Sequence, residues 1–385
     1  MHTKNFIFKY FSKKKKNNKL KKHLKKLLSS KENVIKSLTK DYIYNFTKKD
    51  LIKFKRYKHV RIFGMGGSSL GSNAIYDFLR NKIKKKFYFI SNLNKRNLFT
   101  KKKYLNLIIS KSGNTLETIV NSNVYINQKD KNILITENRS SILKDIGNKL
   151  KYEMIHHNNY IGGRYSVLSE VGMLPAEIMG LNEKKFKQLN NLIKNKYFFN
   201  SMISNVSNIL EIIKKKKFNS VILNYDETAD NFLKWYQQLT AESLGKKGNG
   251  LFPIISLMPK DNHSLMQLYL DGQKNNFYTF FHSQENFSEK IKPSIIHKDQ
   301  KYLRKKNLDD ILISQIMATQ NVFKKKNIQF RSFSIKKKTE ETLGELFSFF
   351  VIETILLAKA LNVNPYDQPA VELIKTETKK ILRNS

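Results

Sequence analysis

The chain has no cysteine. A disulfide scaffold, a thiol nucleophile and any thiolate-ligated zinc or iron–sulfur centre are excluded by that alone. No apolar run approaches the ~18–20 residues a membrane-crossing helix needs. The nearest, from Leu343 to Leu361, is interrupted by Gly344, Glu345, Glu353 and Lys359 and reads as a buried helix. Arginine is scarce, with nine among 72 cationic residues, and acids number only 31, so the 385-residue chain has a formal charge of +41. The lysine excess travels with asparagine and isoleucine, a pattern of nucleotide-composition bias. Nucleic-acid readers lean on arginine for base edges and phosphates. No specific nucleic-acid partner and no membrane partner is expected, although so positive a surface favours anionic substrates.

What is present is a globular chain. Hydrophobic residues make up 40%, enough for buried cores, and the length suits two or three domains. Residues 1–30 are strongly basic, without the continuous apolar stretch of a secretory signal. They read as a frayed or helical arm, and the protein as cytoplasmic. From Val60 onward short apolar runs alternate with helical segments. VRIF (60–63), KFYFI (86–90), LNLIIS (105–110) and NILIT (132–136) are strand-like, with helices after Ser68 and from Thr115. The alternation resumes with SVILNY (220–225), LFPIISLM (251–258), NFYTFFH (276–282) and IQFRSFSI (328–335), with helices at 231–247 and near 263–272. A long helix from Glu340 to Leu361 and a short one after Pro369 close the chain. Such alternation predicts an α/β fold of two mainly parallel sheets flanked by helices. The division expected is a basic arm (1–45), a first α/β domain with connecting helices (46–200), a second α/β domain (201–340) and C-terminal helices packing back on the site (341–385).

Two loops sit at strand-to-helix turns. GMGGSSLG (64–71) lets the backbone approach a ligand at a helix N-terminus. It is not a dinucleotide fingerprint, since Ser69 replaces the third glycine and residues 84–91 offer no acid, nor a P-loop, since Ser72 follows Gly71 directly. SKSGNTLET (110–118) places Ser110, Ser112 and Thr115 with Lys111 around another N-terminus, a good set for a phosphate monoester. A tight turn in the first loop and a plain N-cap by Asn114 or Thr115 in the second are the simpler alternatives. Loops at the carboxyl ends of neighbouring parallel strands are where open α/β sheets bind ligands.

Three further segments carry reactive groups. In IGGRYSVLSEVG (161–172) two glycines frame Arg164; a structural ion pair is the alternative use. In QQLTAESLGKK (237–247) Gln238 and Glu242 share a helix face. Partial burial there raises a carboxyl's proton affinity and suits a general base, whereas an i,i+4 pair with Lys246 is the bland use. His263 stands at a strand-to-helix junction, and Gln368 and Lys375 flank the last helix start. No His, Asp or Glu set has metal-ligand spacing, and no nucleophile elbow occurs.

In order, GMGGSSLG (64–71), SKSGNTLET (110–118), GGRYS (162–166), QLTAESLGK (238–246), HS (263–264) and DQPAVELIK (367–375) resemble the motifs of the glucose-6-phosphate isomerase family, over roughly residues 58–380. The resemblance implies a pair of sugar-isomerase-type domains as in short bacterial members. It implies interconversion of glucose 6-phosphate and fructose 6-phosphate through a cis-enediol without metal or organic cofactor. By motif position it assigns Glu242 as the base, Arg164 as the stabiliser of the enediolate, and His263 and Lys375 to ring opening. Ser110, Lys111, Ser112 and Thr115 would hold the phosphate, and Gly67, Ser68, Gly163, Gln238 and Gln368 would line the sugar. It also implies a homodimer in which His263 crosses the interface. The chain departs from the family's usual pattern at Pro369-Ala370 and at Ile374, where glycine is usual. A non-catalytic phosphosugar-binding regulator would need only the two hydroxyl-bearing loops. A nucleic-acid binder would need arginine and aromatics on one face, and the aromatics here fall within apolar runs.

Overall fold

A computed structural model gives the fold, with residues 1–9, 11, 16–93, 102–284 and 289–384 described. Two five-stranded sheets carry the architecture. β1 (Phe6–Lys9) belongs to the second of them. The first is built from β2 (His59–Phe63), β3 (Lys86–Ile90), β4 (Leu105–Ile109), β5 (Lys131–Thr136) and β6 (Glu153–His156), ordered β3-β2-β4-β5-β6 and parallel throughout. β4 is buried along its whole length. That explains its unbroken apolar reading: helices cover both faces, so no position needs to meet water.

The second sheet contains β7 (Asn219–Asn224), β8 (Phe252–Leu257), β9 (Asn276–Ser283) and β10 (Phe330–Ile335), ordered β1-β10-β9-β7-β8. These four are parallel; β1 lies antiparallel on β10, with Phe6 opposite Ile335 and Phe8 opposite Phe333. The basic arm is therefore an edge strand followed by a helix, Asn18–Leu28, and not a frayed end. Phe6 and Phe8 point inward on alternate positions, and Leu20, Leu24 and Leu27 form the helix's buried stripe. Residues 10 and 12–15 of the arm lie outside the described part.

Both sheets share one continuous core running from Met1 to Val363. At its centre lies the helix Glu340–Ala360, buried from Leu343 to Ala358. Its acidic residues are covered as well as its apolar ones. Glu353 pairs with the buried Arg331 of β10, in a network with Asn205, Tyr236 and Thr279. Each charge in such a place requires its partner, since a lone buried ion costs several kcal/mol. No helix among the described residues is long and apolar enough to cross a membrane.

In the first sheet the chain runs from β2 outward to β3, then returns past β2 to β4. That reversal opens a crevice at the carboxyl ends of β2 and β4. The helix Asp230–Leu244, which follows β7 of the second sheet, packs against Leu70–Phe78, which follows β2 of the first. One wall of the crevice thus comes from each half of the chain.

Candidate active site

Two glycine contacts build the floor. A side chain at Gly67 would lie 2.2 Å from the Gly163 carbonyl carbon and 2.5 Å from the Arg164 nitrogen. Gly66, at φ +51, sits with its Cα side toward Gln238, whose Nε2 would be 2.7 Å from an added Cβ. The GMGG turn therefore exists to let three segments touch: the β2 loop, the Gly163–Leu168 turn and the Asp230–Leu244 helix.

Arg164 joins those segments to the end of the chain. The guanidinium is 2% exposed and all five of its donors are engaged. Nε donates to Ser243 Oγ at 2.9 Å. Nη1 donates to Glu242 Oε2 at 3.0 Å and Gln368 Oε1 at 2.7 Å. Nη2 donates to the carbonyls of Pro365 (2.5 Å) and Asp367 (3.1 Å). Tyr165 hydroxyl bonds both Ser243 and the Pro365 carbonyl, and Trp235 Nε1 donates to the Arg164 carbonyl. Burial raises the Tyr165 pKa, keeping that hydroxyl a donor.

Glu242 lies between Arg164 and Gln238. Its Oε1 accepts from Gln238 Nε2 at 2.7 Å, one helical turn back, and its side chain is 30% exposed. The simple alternative, a pair with Lys246, is not formed: Lys246 instead reaches Asp367 at 2.7 Å and the Asn364 carbonyl. Gln238 Oε1 is buried without a partner.

The second loop lies alongside, since Gly64 of the β2 turn abuts the Ile109 carbonyl. Ser110 and Thr115 hydroxyls are 2.9 Å apart, and Ser110 Oγ also accepts from the Gly113 N–H, with Gly113 at φ +67. Ser112 Oγ accepts from the Asn114 N–H. The N-cap alternative fails here. Thr115 makes no side-chain cap on the helix Leu116–Tyr125, and Asn114 accepts from Ile142 N of the neighbouring helix. The N-terminus is therefore left without a side-chain cap, beside three hydroxyls. Lys111 is held 3.2 Å from Glu137, which Arg139 also contacts. His157 is buried close by, and burial pushes its pKa down to about 4, so the ring is neutral.

Of the residues expected at the site, Gly67, Ser68, Gly163, Arg164, Gln238, Glu242 and Gln368 fall around one crevice, with Ser110, Lys111, Ser112 and Thr115 on the adjoining loop. His263 and Lys375 do not join them within this chain. His263 is exposed at the end of the short turn Lys260–Asn262 after β8. Lys375 is paired to Glu372 at 2.6 Å on the helix Val371–Asn384, which has no buried residue. That helix does not pack back on the site as expected. Ile374 is 72% exposed, so most of its bulk faces away from the rest of the chain. Ser243, Tyr165 and Glu137 were not anticipated. The first two lie inside the quoted motifs, next to the reactive residues they support, and adjacency was their only signal; Glu137 had none.

Two parallel sheets, with hydroxyl-bearing turns at the first sheet's reversal and a carboxylate brought over from the second half, define a sugar-isomerase-type α/β protein. A family model described as phosphoglucose isomerase matches residues 12–251. A glucose-6-phosphate isomerase of Methanocaldococcus jannaschii is 32% identical over 370 residues, covering 89% of this chain and 88% of its relative. The chain belongs to the phosphoglucose isomerase family. In fold it is similar to a hypothetical protein of Thermus thermophilus (TM-score 0.81, 21% identity, 95% of this chain and 94% of that one). It is likewise similar to a glucose-6-phosphate isomerase of Chlamydia trachomatis (TM-score 0.75, 18% identity, 94% and 83%).

Proposed function

We propose that the chain interconverts glucose 6-phosphate and fructose 6-phosphate, with Glu242 moving the proton between C2 and C1. The observation that carries this reading is the hydrogen-bonded row Gln238–Glu242–Arg164–Gln368 beside the Ser110–Thr115 loop. The phosphate is held by Ser110, Ser112 and Thr115 and by the free N–H groups opening the helix Leu116–Tyr125, with Lys111 adding charge. Gly67, Ser68, Gly163, Gln238 and Gln368 line the sugar, and the unpartnered Gln238 Oε1 accepts a sugar hydroxyl.

With the sugar open, Glu242 takes the C2 proton. The electron pair left on C2 forms the enediolate as the C1 carbonyl oxygen gains charge. The hydroxyl proton passes from O2 to O1, and as the carbon proton returns to C1 the C2–O bond becomes the carbonyl, giving the ketose. The anion forms beside Arg164. Because every donor of Arg164 is engaged beforehand, the Nη1 contact to Gln368 is exchanged for the enediolate oxygen. That stabilisation belongs to the transition state more than to the bound sugar, which is how it lowers the barrier.

Ring opening is assigned to His263, supplied by a second copy, and to Lys375 of the last helix. The proposal includes a homodimer that seats His263 of one chain over the crevice of the other. The exposed apolar side chains Val371, Leu373, Ile374, Ile381 and Leu382 support such a contact for the last helix. The division into units 46–200 and 201–340, each giving one wall of the crevice, and a cytoplasmic location belong to the same reading.

The experiment is a coupled assay of fructose 6-phosphate conversion by the purified chain, with a chelator and no added metal. Turnover that survives chelation is the result expected. Phosphosugar binding without turnover would overturn the reading in favour of a binding regulator.

A further inference from the structure

A second concavity lies apart from the crevice that holds Glu242. It is a cleft of about 1480 Å³, and none of the residues discussed above as catalytic or substrate-binding lines it. Its walls come from the chain's first residues, the segment around Lys40–Lys48, residues 183–195 and the first turns of the helix Glu340–Ala360.

Its lining carries seven lysines against three acids, Glu183, Glu341 and Glu345, the last of which accepts from Thr3 Oγ1. Lys48 is paired with Glu177 and Glu183, and Lys185 lies 3.5 Å from Glu341. Lys187 is buried and donates to the Ser37 and Leu168 carbonyls, so it ties the wall together instead of facing a ligand. Lys4, Lys40, Lys184 and Lys194 make no ion pair among the described residues, and all four are exposed on the cleft's lining. Tyr44, also on the lining, has a buried hydroxyl without a hydrogen-bond partner. Burial raises its pKa, so that hydroxyl remains a donor.

Lysine is abundant over the whole surface, and abundance alone means little. Concavity distinguishes this place. On a convex helix such as Asn18–Leu28 the lysines spread their field into water, whereas low-dielectric walls focus it. Four unpaired ammonium groups reaching one cleft from separate stretches of chain exceed what a single phosphate dianion needs. They match a tri- or tetra-anion. We propose that this cleft is a binding site for a polyphosphate group, distinct from the isomerase site. The source of that group, inorganic polyphosphate or a nucleoside triphosphate, is separated by the probes below.

The test is isothermal titration of the full chain with sodium tripolyphosphate and, separately, with ATP, at ~150 mM salt, where long-range attraction is screened. Saturable binding of at least one probe at one site per chain is expected. Equal affinity for the two assigns the phosphates as the ligand, and tighter ATP binding assigns a nucleotide; both support the site. The double variant Lys184→Glu, Lys194→Glu should weaken binding by about tenfold or more. Lys21→Glu with Lys22→Glu, an equal charge change on the convex helix, should alter it by less than about twofold. Isomerase turnover retained in both variants shows that they fold. Equal weakening by the two pairs, displacement of the probe by glucose 6-phosphate, or saturable binding of an RNA oligomer but of neither probe would each overturn the proposal.

Discussion

Arg164 shows how much of the site depends on single atoms. A lysine there would offer three donors in place of the five now engaged, and without the planar fork. Arg164→Lys should lower kcat by about 10²–10³, the scale of losing one transition-state donor, while KM changes far less. Steady-state kinetics decide it, and an unchanged kcat would contradict the role. Gly67 makes a steric demand of the same sharpness. The atom an added Cβ would meet at 2.2 Å is backbone, which cannot rotate away. Gly67→Ala should therefore cost about 1–3 kcal/mol of stability and part the two turns, read as a lowered melting temperature together with reduced kcat. At this scale the sequence was informative wherever a residue type had one plausible use. A Gly-Gly pair framing one of nine arginines pointed to a close backbone approach, and the structure has it. Ser243 and Tyr165 were silent because serine and tyrosine have too many ordinary uses. His263 and Lys375 are named by the family resemblance, which brings His263 from a second copy but does not fix where the last helix carries Lys375.

Among the elements, the most instructive is the first strand. FIFK reads as a scrap of apolar sequence in a lysine-rich arm, yet Phe8 is fully buried, 4.7 Å ring to ring from Phe333 and 5.1 Å from Phe349. Phe8→Ala should cost about 3–5 kcal/mol, the range for emptying an aromatic site in a packed core. A denaturant melt checks it, and a shift below measurement would mean that the arm is detachable. The central strands were legible because burial on both faces leaves an unbroken apolar run. β6, with the sequence EMIH, was not, since only Ile155 of its four residues is buried. The helix Leu308–Lys325 escaped for a similar reason: only Ile316 and Phe323 are buried, too few to impose a period. The helix Leu116–Tyr125 carries a functional prediction. Its cap residue leaves the N-terminus open, so Thr115→Val removes the proposed ligand group and its 2.9 Å contact to Ser110, but no helix cap. The variant should raise KM for the phosphosugar by about tenfold, near the value of one hydrogen bond to a charged group, with kcat little changed. Loss of stability without a KM effect would return Thr115 to a structural role.

Among the described residues two sheets flank one main core and two smaller apolar clusters, with the candidate site held where both halves meet. Its stability must respond to the titratable groups buried within it. His157 is held neutral by burial, with its pKa lowered to about 4 against 6.5 for an exposed ring. The native state then binds fewer protons than the unfolded chain between those values. Its contribution is complete above pH 6.5 and is lost as pH falls toward 4, by about 3 kcal/mol at most. The buried carboxyls Glu170 and Glu177, whose pKa values burial raises, run the other way. The clean measurement is consequently the difference between wild type and His157→Gln across pH 4–7. That difference should shift toward the variant as acid is added, and a flat difference would contradict the burial argument. At the same scale stands the proposed dimer. Mixing Glu242→Gln with His263→Ala chains should restore about a quarter of wild-type turnover, since half the dimers are mixed and each has one intact site. Activity no greater than the sum of the two variants would place both residues on one chain.

The proposed chemistry turns on the carboxylate of Glu242, and isotope exchange addresses it directly. Glu242→Gln keeps the shape and the Gln238 neighbour but cannot accept a proton. Incubated with glucose 6-phosphate in deuterated water, the variant should show no detectable exchange at C2, while retaining phosphosugar affinity within about threefold of wild type. Exchange at the wild-type rate would show that another group moves the proton.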